Sequence, residues 1–199
     1  MCNDYARELE IGRVIKLLKE LENLPANDWA DGLIPNTAGP TPHVKIGDQG
    51  LVVRRHEGGV RPEMMTWAWK GPGGKPVFNF KSEGRDFSKS DRLLILATGF
   101  YEYTTPAKPK VKLKDQHLFT MPHSEFFWIA GIQKQGCFSM LTTIPGPDVK
   151  PYHDRQVCVL EPKDGMAWLN LSQDPDKLLR PLPLGTLRVK TLRRDGAET

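Results

Sequence analysis

Cys2 has the most unusual chemical option in the chain, because it directly follows the initiator methionine. Cysteine is small enough that an aminopeptidase is expected to trim Met1, and Cys2 would then carry a free α-amine beside its thiol. Such a 1,2-aminothiol traps aldehydes: the amine condenses to an imine, the sulfur adds to it, and a five-membered thiazolidine closes. Reference values of about 8 for an α-amine and about 8.5 for a thiol leave both partly protonated at neutral pH, so a neighbouring base has work to do. A cysteine at position 2 is coincidence more often than a nucleophile, and its meaning depends on the other groups the chain supplies.

Three polar side chains have suitable types. Glu102 sits between aromatics in Gly99-Phe100-Tyr101-Glu102-Tyr103. Apolar surroundings would disfavour its charged form and lift its pKa toward the range useful for proton transfer. Alternation equally allows Glu102 on a solvent face. His153, in Pro151-Tyr152-His153-Asp154-Arg155, lies where a proline-rich loop enters a strand, a plausible edge for a neutral-pH proton carrier. Asn79 belongs to Val77-Phe78-Asn79-Phe80-Lys81-Ser82-Glu83, where alternation sends Asn79, Lys81 and Glu83 to one side of a strand. A further set, Arg54, Arg55, Trp67, Trp69, Lys81, Arg85, Lys150 and Arg155, combines cations with rings as single-stranded nucleic acid requires, although tryptophans are more often core residues.

The elements that must position these groups follow from pattern. Residues 4–24 read as a helix, with Ile11, Val14, Ile15, Leu18 and Leu21 at three- and four-residue steps and Pro25 as the stop. Residues 34–42 read as an extended loop. From about 44 to 170 the chain reads as mainly β, with strands at 51–55, 64–69, 93–98, 116–121, 126–132, 137–144 and 156–160. Short helices are expected at 165–170 and 175–179, a last strand at 186–192, and a frayed tail from Arg193. The run Gly71-Pro72-Gly73-Gly74-Lys75-Pro76 is a loop: it lacks Ser or Thr after the lysine, and Pro76 opposes the helix a phosphate loop needs. Many short strands with few helices imply an α+β fold on a strongly bent, barrel-like sheet with flanking helices.

Bulk properties narrow the function. The 199 residues suit a single domain spanning 1–199, and 39% hydrophobic with 26% charged residues is a globular composition. No apolar run is long enough to span a bilayer, and the polar start Asn3-Asp4-Tyr5-Ala6-Arg7-Glu8 does not read as a signal peptide. Three cysteines without CxxC spacing argue against a disulfide scaffold and fit a reducing cytoplasm. The histidines have no metal-ligand spacing, so neither a metal nor another cofactor is expected.

Met1-Cys2, Trp67 in its Met-x-Trp strand, Asn79-x-Lys-Ser-Glu83, Gly99-Phe-Tyr-Glu102, Leu141-Thr-Thr and His153-x-Arg155, in that order, resemble the SRAP (SOS response-associated peptidase) family from Cys2 to about Trp168. The resemblance implies a DNA-damage protein that senses abasic sites in single-stranded DNA. It would crosslink to them through Cys2 as a thiazolidine, with an AP-lyase side activity through the imine. Asn79 would then position the Cys2 amine, and Glu102 and His153 would move protons. Lys81, Arg85, Arg155 and Arg54 would meet the DNA, with Trp67 facing a base beside the lesion. A monomer in the cytoplasm, associated with the nucleoid when bound to DNA, is expected. The alternatives are a Cys2-dependent peptidase that processes its own N-terminus, and a non-catalytic single-strand-binding module. The chain departs from the family's usual Met-Cys-Gly-Arg start with Asn3 and Asp4, and Lys81 stands where arginine is usual. Lysine keeps the charge and loses the guanidinium fork.

Overall fold

Alternating apolar residues build most of the chain into strands whose two faces bury against different partners. The computed structural model describes residues 2–22, 38–57 and 59–199. The first described elements are β1 (Asp4–Arg7), α1 (Ile11–Glu22), β2 (Thr41–Lys45), β3 (Gln49–His56), β4 (Gly59–Trp67), β5 (Trp69–Lys70), β6 (Pro76–Val77) and β7 (Asn79–Lys81). The body continues with β8 (Asp91–Ala97), β9 (Gly99–Thr104), β10 (Asp115–Thr120), β11 (Phe127–Lys134) and β12 (Cys137–Thr143). After β13 (Gln156–Val157) and β14 (Val159–Leu160) come α2 (Gly165–Asn170), α3 (Pro175–Leu178), β15 (Arg188–Arg194) and β16 (Ala197–Glu198).

The largest sheet runs β13-β12-β4-β3-β8-β11-β14 and curls until β11 also pairs with β12. Its strands are covered on both sides. Leu93, Ile95, Phe127 and Ile129 join an apolar cluster with Tyr5, Phe100 and Phe119 of the second sheet. Their neighbours Leu94, Leu96, Trp128 and Ala130 join another with Val14 of α1 and Trp168 of α2. The second sheet is ordered β16-β15-β10-β9-β1-β2. This is the strongly curled, barrel-like α+β architecture that the strand count implies.

Several boundaries differ from the sequence reading. Residues 4–7 do not begin the helix: Tyr5 pairs with Phe100 of β9 and with Val44 of β2, and α1 starts only at Ile11. Strand pairing with two neighbours overrides the local helical preference. The end of that helix at Pro25, and residues 34–37 of the expected loop, lie outside the described residues. The expected strand 64–69 breaks at Ala68, which has φ 85°. As a result Trp67 enters the cluster beneath β9 while Trp69 enters the one beneath the helices. The tail is not frayed either. Asp195 and Gly196, at φ 50° and 84°, make a two-residue turn that pairs Arg194 with Ala197, the Asp-Gly signature of a tight hairpin.

Gly50 of β3 shows how closely β1 is seated. A β-carbon there would lie 2.2 Å from the Tyr5 hydroxyl and 2.9 Å from the Phe138 ring. Gly50→Ala is therefore expected to destabilise the fold by about 1–3 kcal/mol through overpacking, measured as a fall in the urea midpoint. A neutral result would mean β1 can retreat without cost.

Candidate functional site

The site forms where the start of β1 meets β9, β7 and the loop before β13. Because β1 runs antiparallel to β9 with Tyr5 opposite Phe100, the residues before Tyr5 fall beside those after Phe100. Cys2 thus reaches Glu102, and its backbone N–H donates to the Glu102 carboxylate. From the other side Asn79 Nδ2 donates to the Cys2 carbonyl at 2.7 Å, and β7 is held by parallel pairing of Asn79 with Met140 of β12. Cys2 is 1% exposed. Its Sγ donates to the Asp4 carbonyl at 3.2 Å, and burial, reinforced by the Glu102 charge, pushes the thiol well above its ordinary range.

Glu102 is buried, 1% exposed. Burial raises it from the usual carboxylate value of 4.5 to about 7, although the positive charge at the chain's N-terminus pulls the other way. Such a carboxyl is close to half-protonated at neutral pH, so it can give or take a proton. His153 Nε2 lies 3.9 Å from Glu102 Oε2, beyond hydrogen-bond length but within ion-pair reach. On the opposite ring edge, the Arg155 N–H donates to His153 Nδ1 at 3.0 Å, and Asp154 Oδ1 lies 2.9 Å from the same atom. The neutral ring accepts from Arg155; a ring protonated at Nδ1 donates to Asp154. Burial, and then the N-terminal charge, hold His153 below its ordinary range, which favours the neutral form with Nε2–H turned toward Glu102.

The His153 loop is itself anchored. The Tyr152 and His153 amides donate to the Val149 carbonyl, and Gln156 Oε1 accepts from the Gly146 amide at 2.6 Å. Tyr152 packs on His117, ring centroids 4.6 Å apart. His117 stands directly opposite Glu102 in the β9–β10 pairing, and its two ring nitrogens meet the hydroxyls of Thr104 and Thr191. Among the described residues no group of three or more His, Cys, Asp or Glu side chains is placed to hold a metal ion.

Residues 1–195 match the SOS response associated peptidase (SRAP) family. The chain belongs to the SRAP family. Membership supports a DNA-damage-associated role. A crystal structure of a protein from Bacteroides thetaiotaomicron superposes with a TM-score of 0.72 at 15% identity, covering 98% of this chain and 93% of that one. A protein from Bordetella bronchiseptica gives 0.70 at 18% identity, covering 96% and 100%. A phage-related protein from the same organism gives 0.70 at 19%, covering 97% and 95%. At these identities the likeness is one of fold. No curated protein sequence matches this one.

In this SRAP chain Cys2, Asn79, Glu102 and His153 come together although they are spread over 152 positions of sequence. Asn79 reaches Cys2 through its carbonyl. The residues expected to meet DNA are placed differently. Trp67 is fully buried, donates to the Phe78 carbonyl at 2.9 Å and stacks on Phe138; it has no face to offer a base. Arg155 forms a fork on Glu83, with Nη2 to Oε2 at 2.9 Å, and also donates to the Thr142 carbonyl at 2.8 Å. It therefore ties the His153 loop to the end of β7 instead of presenting a free guanidinium. Arg54 is engaged by Glu63 and Asp91. Arg85 lies over the Phe80 ring at 4.1 Å, and Lys81 is exposed. Asp154 and Tyr152 were not singled out from sequence; their position flanking His153 was the available signal.

The raised Glu102 pKa has a stability consequence with a definite sign. A carboxyl lifted from 4.5 to about 7 contributes stability below about pH 4.5 that is lost as pH rises through 7. Glu102→Gln removes that titration. Relative to wild type, the variant should gain up to about 3 kcal/mol between pH 4.5 and 8, read from urea unfolding at each pH. A difference that does not change with pH would show that Glu102 titrates normally.

Proposed function

We propose that this protein joins itself to abasic sites in single-stranded DNA, closing a thiazolidine between Cys2 and the ring-opened sugar aldehyde. The observation that carries the reading is the backbone nitrogen of Cys2 resting on a half-protonated Glu102, with His153 behind it. Once Met1 is trimmed, that nitrogen becomes the nucleophilic amine. It adds to the aldehyde carbon, and the resulting carbinolamine loses water as Glu102 protonates the departing hydroxyl. The sulfur then adds to the imine carbon while its proton passes to the imine nitrogen. One water leaves overall, and no oxidant is needed. The same imine can eliminate the 3′ phosphate by loss of the adjacent proton, which accounts for a lyase side reaction.

The state of the sulfur supports amine attack as the first step. A buried thiol held above its ordinary range is a poor nucleophile, since the thiolate is the reactive form. A peptidase acting through Cys2 would need that thiolate at the outset and His153 beside it. Here His153 faces Glu102 instead.

Purified protein mixed with single-stranded DNA containing one abasic site should give a denaturant-resistant adduct whose mass equals Met1-trimmed protein plus DNA minus one water. Cys2→Ala should give none, and Glu102→Gln should slow formation by about 100-fold or more. Absence of the adduct with wild type, or an equal yield with Cys2→Ala, would sink the proposal. Intact mass of His153→Ala separates the peptidase reading: retained Met1 would indicate self-processing, whereas normal trimming would point to a host aminopeptidase.

A further inference from the structure

Arg54 and Arg155, two of the cations picked out by sequence, are engaged by carboxylates, and most of the protein's positive surplus lies elsewhere. It is concentrated in two segments that fold against each other. Residues 105–114 hold Lys108, Lys110, Lys112 and Lys114 and no acid; residues 188–199 hold Arg188, Lys190, Arg193 and Arg194 against Asp195 and Glu198. Together they carry +6 where the whole chain carries +4, which leaves the remainder at −2.

Backbone contacts fix the two segments as one surface. Asp195 Oδ1 accepts from the Lys108 amide at 2.8 Å, Asp115 Oδ1 accepts from the Asp195 amide at 2.7 Å, and Arg193 Nε donates to the Lys114 carbonyl at 2.9 Å. The β15–β16 hairpin thus holds the lysine loop, and Asp195 is turned toward a backbone amide of that loop. Lys108, Lys110, Lys112, Lys114, Arg188, Lys190 and Arg194 are exposed, and among the described residues none of them enters a salt bridge. Leu113, 55% exposed, adds an apolar spot between two of the lysines.

The surface also reaches the reaction centre. Lys114 lines an open cavity of about 480 Å³ together with Asp4, Lys45, Tyr103 and Asn3, the residue that follows Cys2. Its charge is one of those felt at His153.

We infer that this ledge, made by the lysine loop and the C-terminal hairpin, holds the phosphate backbone of the single strand whose lesion enters the Cys2 site. The inference rests on the proposed reading for the identity of the strand. A row of exposed cations whose last member, Lys114, shares a cavity with Asn3 and Asp4 and is felt at His153 favours a polyanion threaded toward the site over an anionic lipid surface, which would have no reason to stop there.

The test measures binding of a lesion-free single strand, so it does not depend on the crosslinking chemistry. In a Cys2→Ala background, Lys108→Gln/Lys110→Gln/Lys112→Gln should weaken binding about tenfold at low salt and reduce the slope of log affinity against log salt by about 2, at roughly 0.7 per lost phosphate contact. Arg188→Gln/Lys190→Gln should reduce it by about 1.4 on the same basis. Lys16→Gln/Lys19→Gln/Lys177→Gln, which removes equal charge elsewhere, should keep the parent slope. Unchanged affinity and slope in both ledge variants would overturn the inference, as would binding to phosphatidylserine vesicles but not to the strand. Salt-sensitive binding through the ledge by a wild-type protein that forms no adduct would retain the ledge and reject the thiazolidine.

Discussion

The site depends on one constraint: the first residues of the chain are built into a sheet. Chain ends are usually among the least ordered parts of a domain. Here Asp4–Arg7 forms a strand with neighbours on both sides, and Cys2 is held at its carbonyl by Asn79 and at its nitrogen by Glu102. Tyr5, buried at 0% exposure against Trp67, anchors this strand in the core. Trp67 thus acts from below, as packing under the segment that aims Cys2.

Electrostatics complete what packing begins. Burial of Glu102 disfavours its charge, and the N-terminal positive charge restores part of it. The outcome near 7 is a balance of opposing effects in which burial is the largest. The Arg155–Glu83 fork contributes from the opposite side by tying the His153 loop to the segment that follows Asn79. An arginine that sequence suggests for phosphate is needed here for architecture.

Much of this was legible in the sequence because the residues of the candidate site have distinctive types and order. Cys2, Asn79, Glu102 and His153 could be named without coordinates, and most strands of the body follow from alternation. What escaped were features set by partners distant in sequence. Nothing local shows that Tyr5 has Phe100 and Val44 beside it, so residues 4–7 read as helix. Alternation places Trp67 and Trp69 on one side, and only the left-handed backbone at Ala68 separates them. The fate of each arginine depends on where an acid comes to rest. The hairpin at Asp195-Gly196, by contrast, carried a recognised local signal, and the polar composition around it obscured that signal.

Glu102 faces His117 across two strands, His117 packs on Tyr152, Tyr152 adjoins His153 in the chain, and His153 returns to Glu102. These four residues follow one another around a closed circuit of neighbours. Glu102 and His153 are therefore linked twice, once by their direct approach at 3.9 Å and once through His117 and Tyr152. For the proton transfer proposed for this pair, the second path is an additional brace against drift of one group from the other.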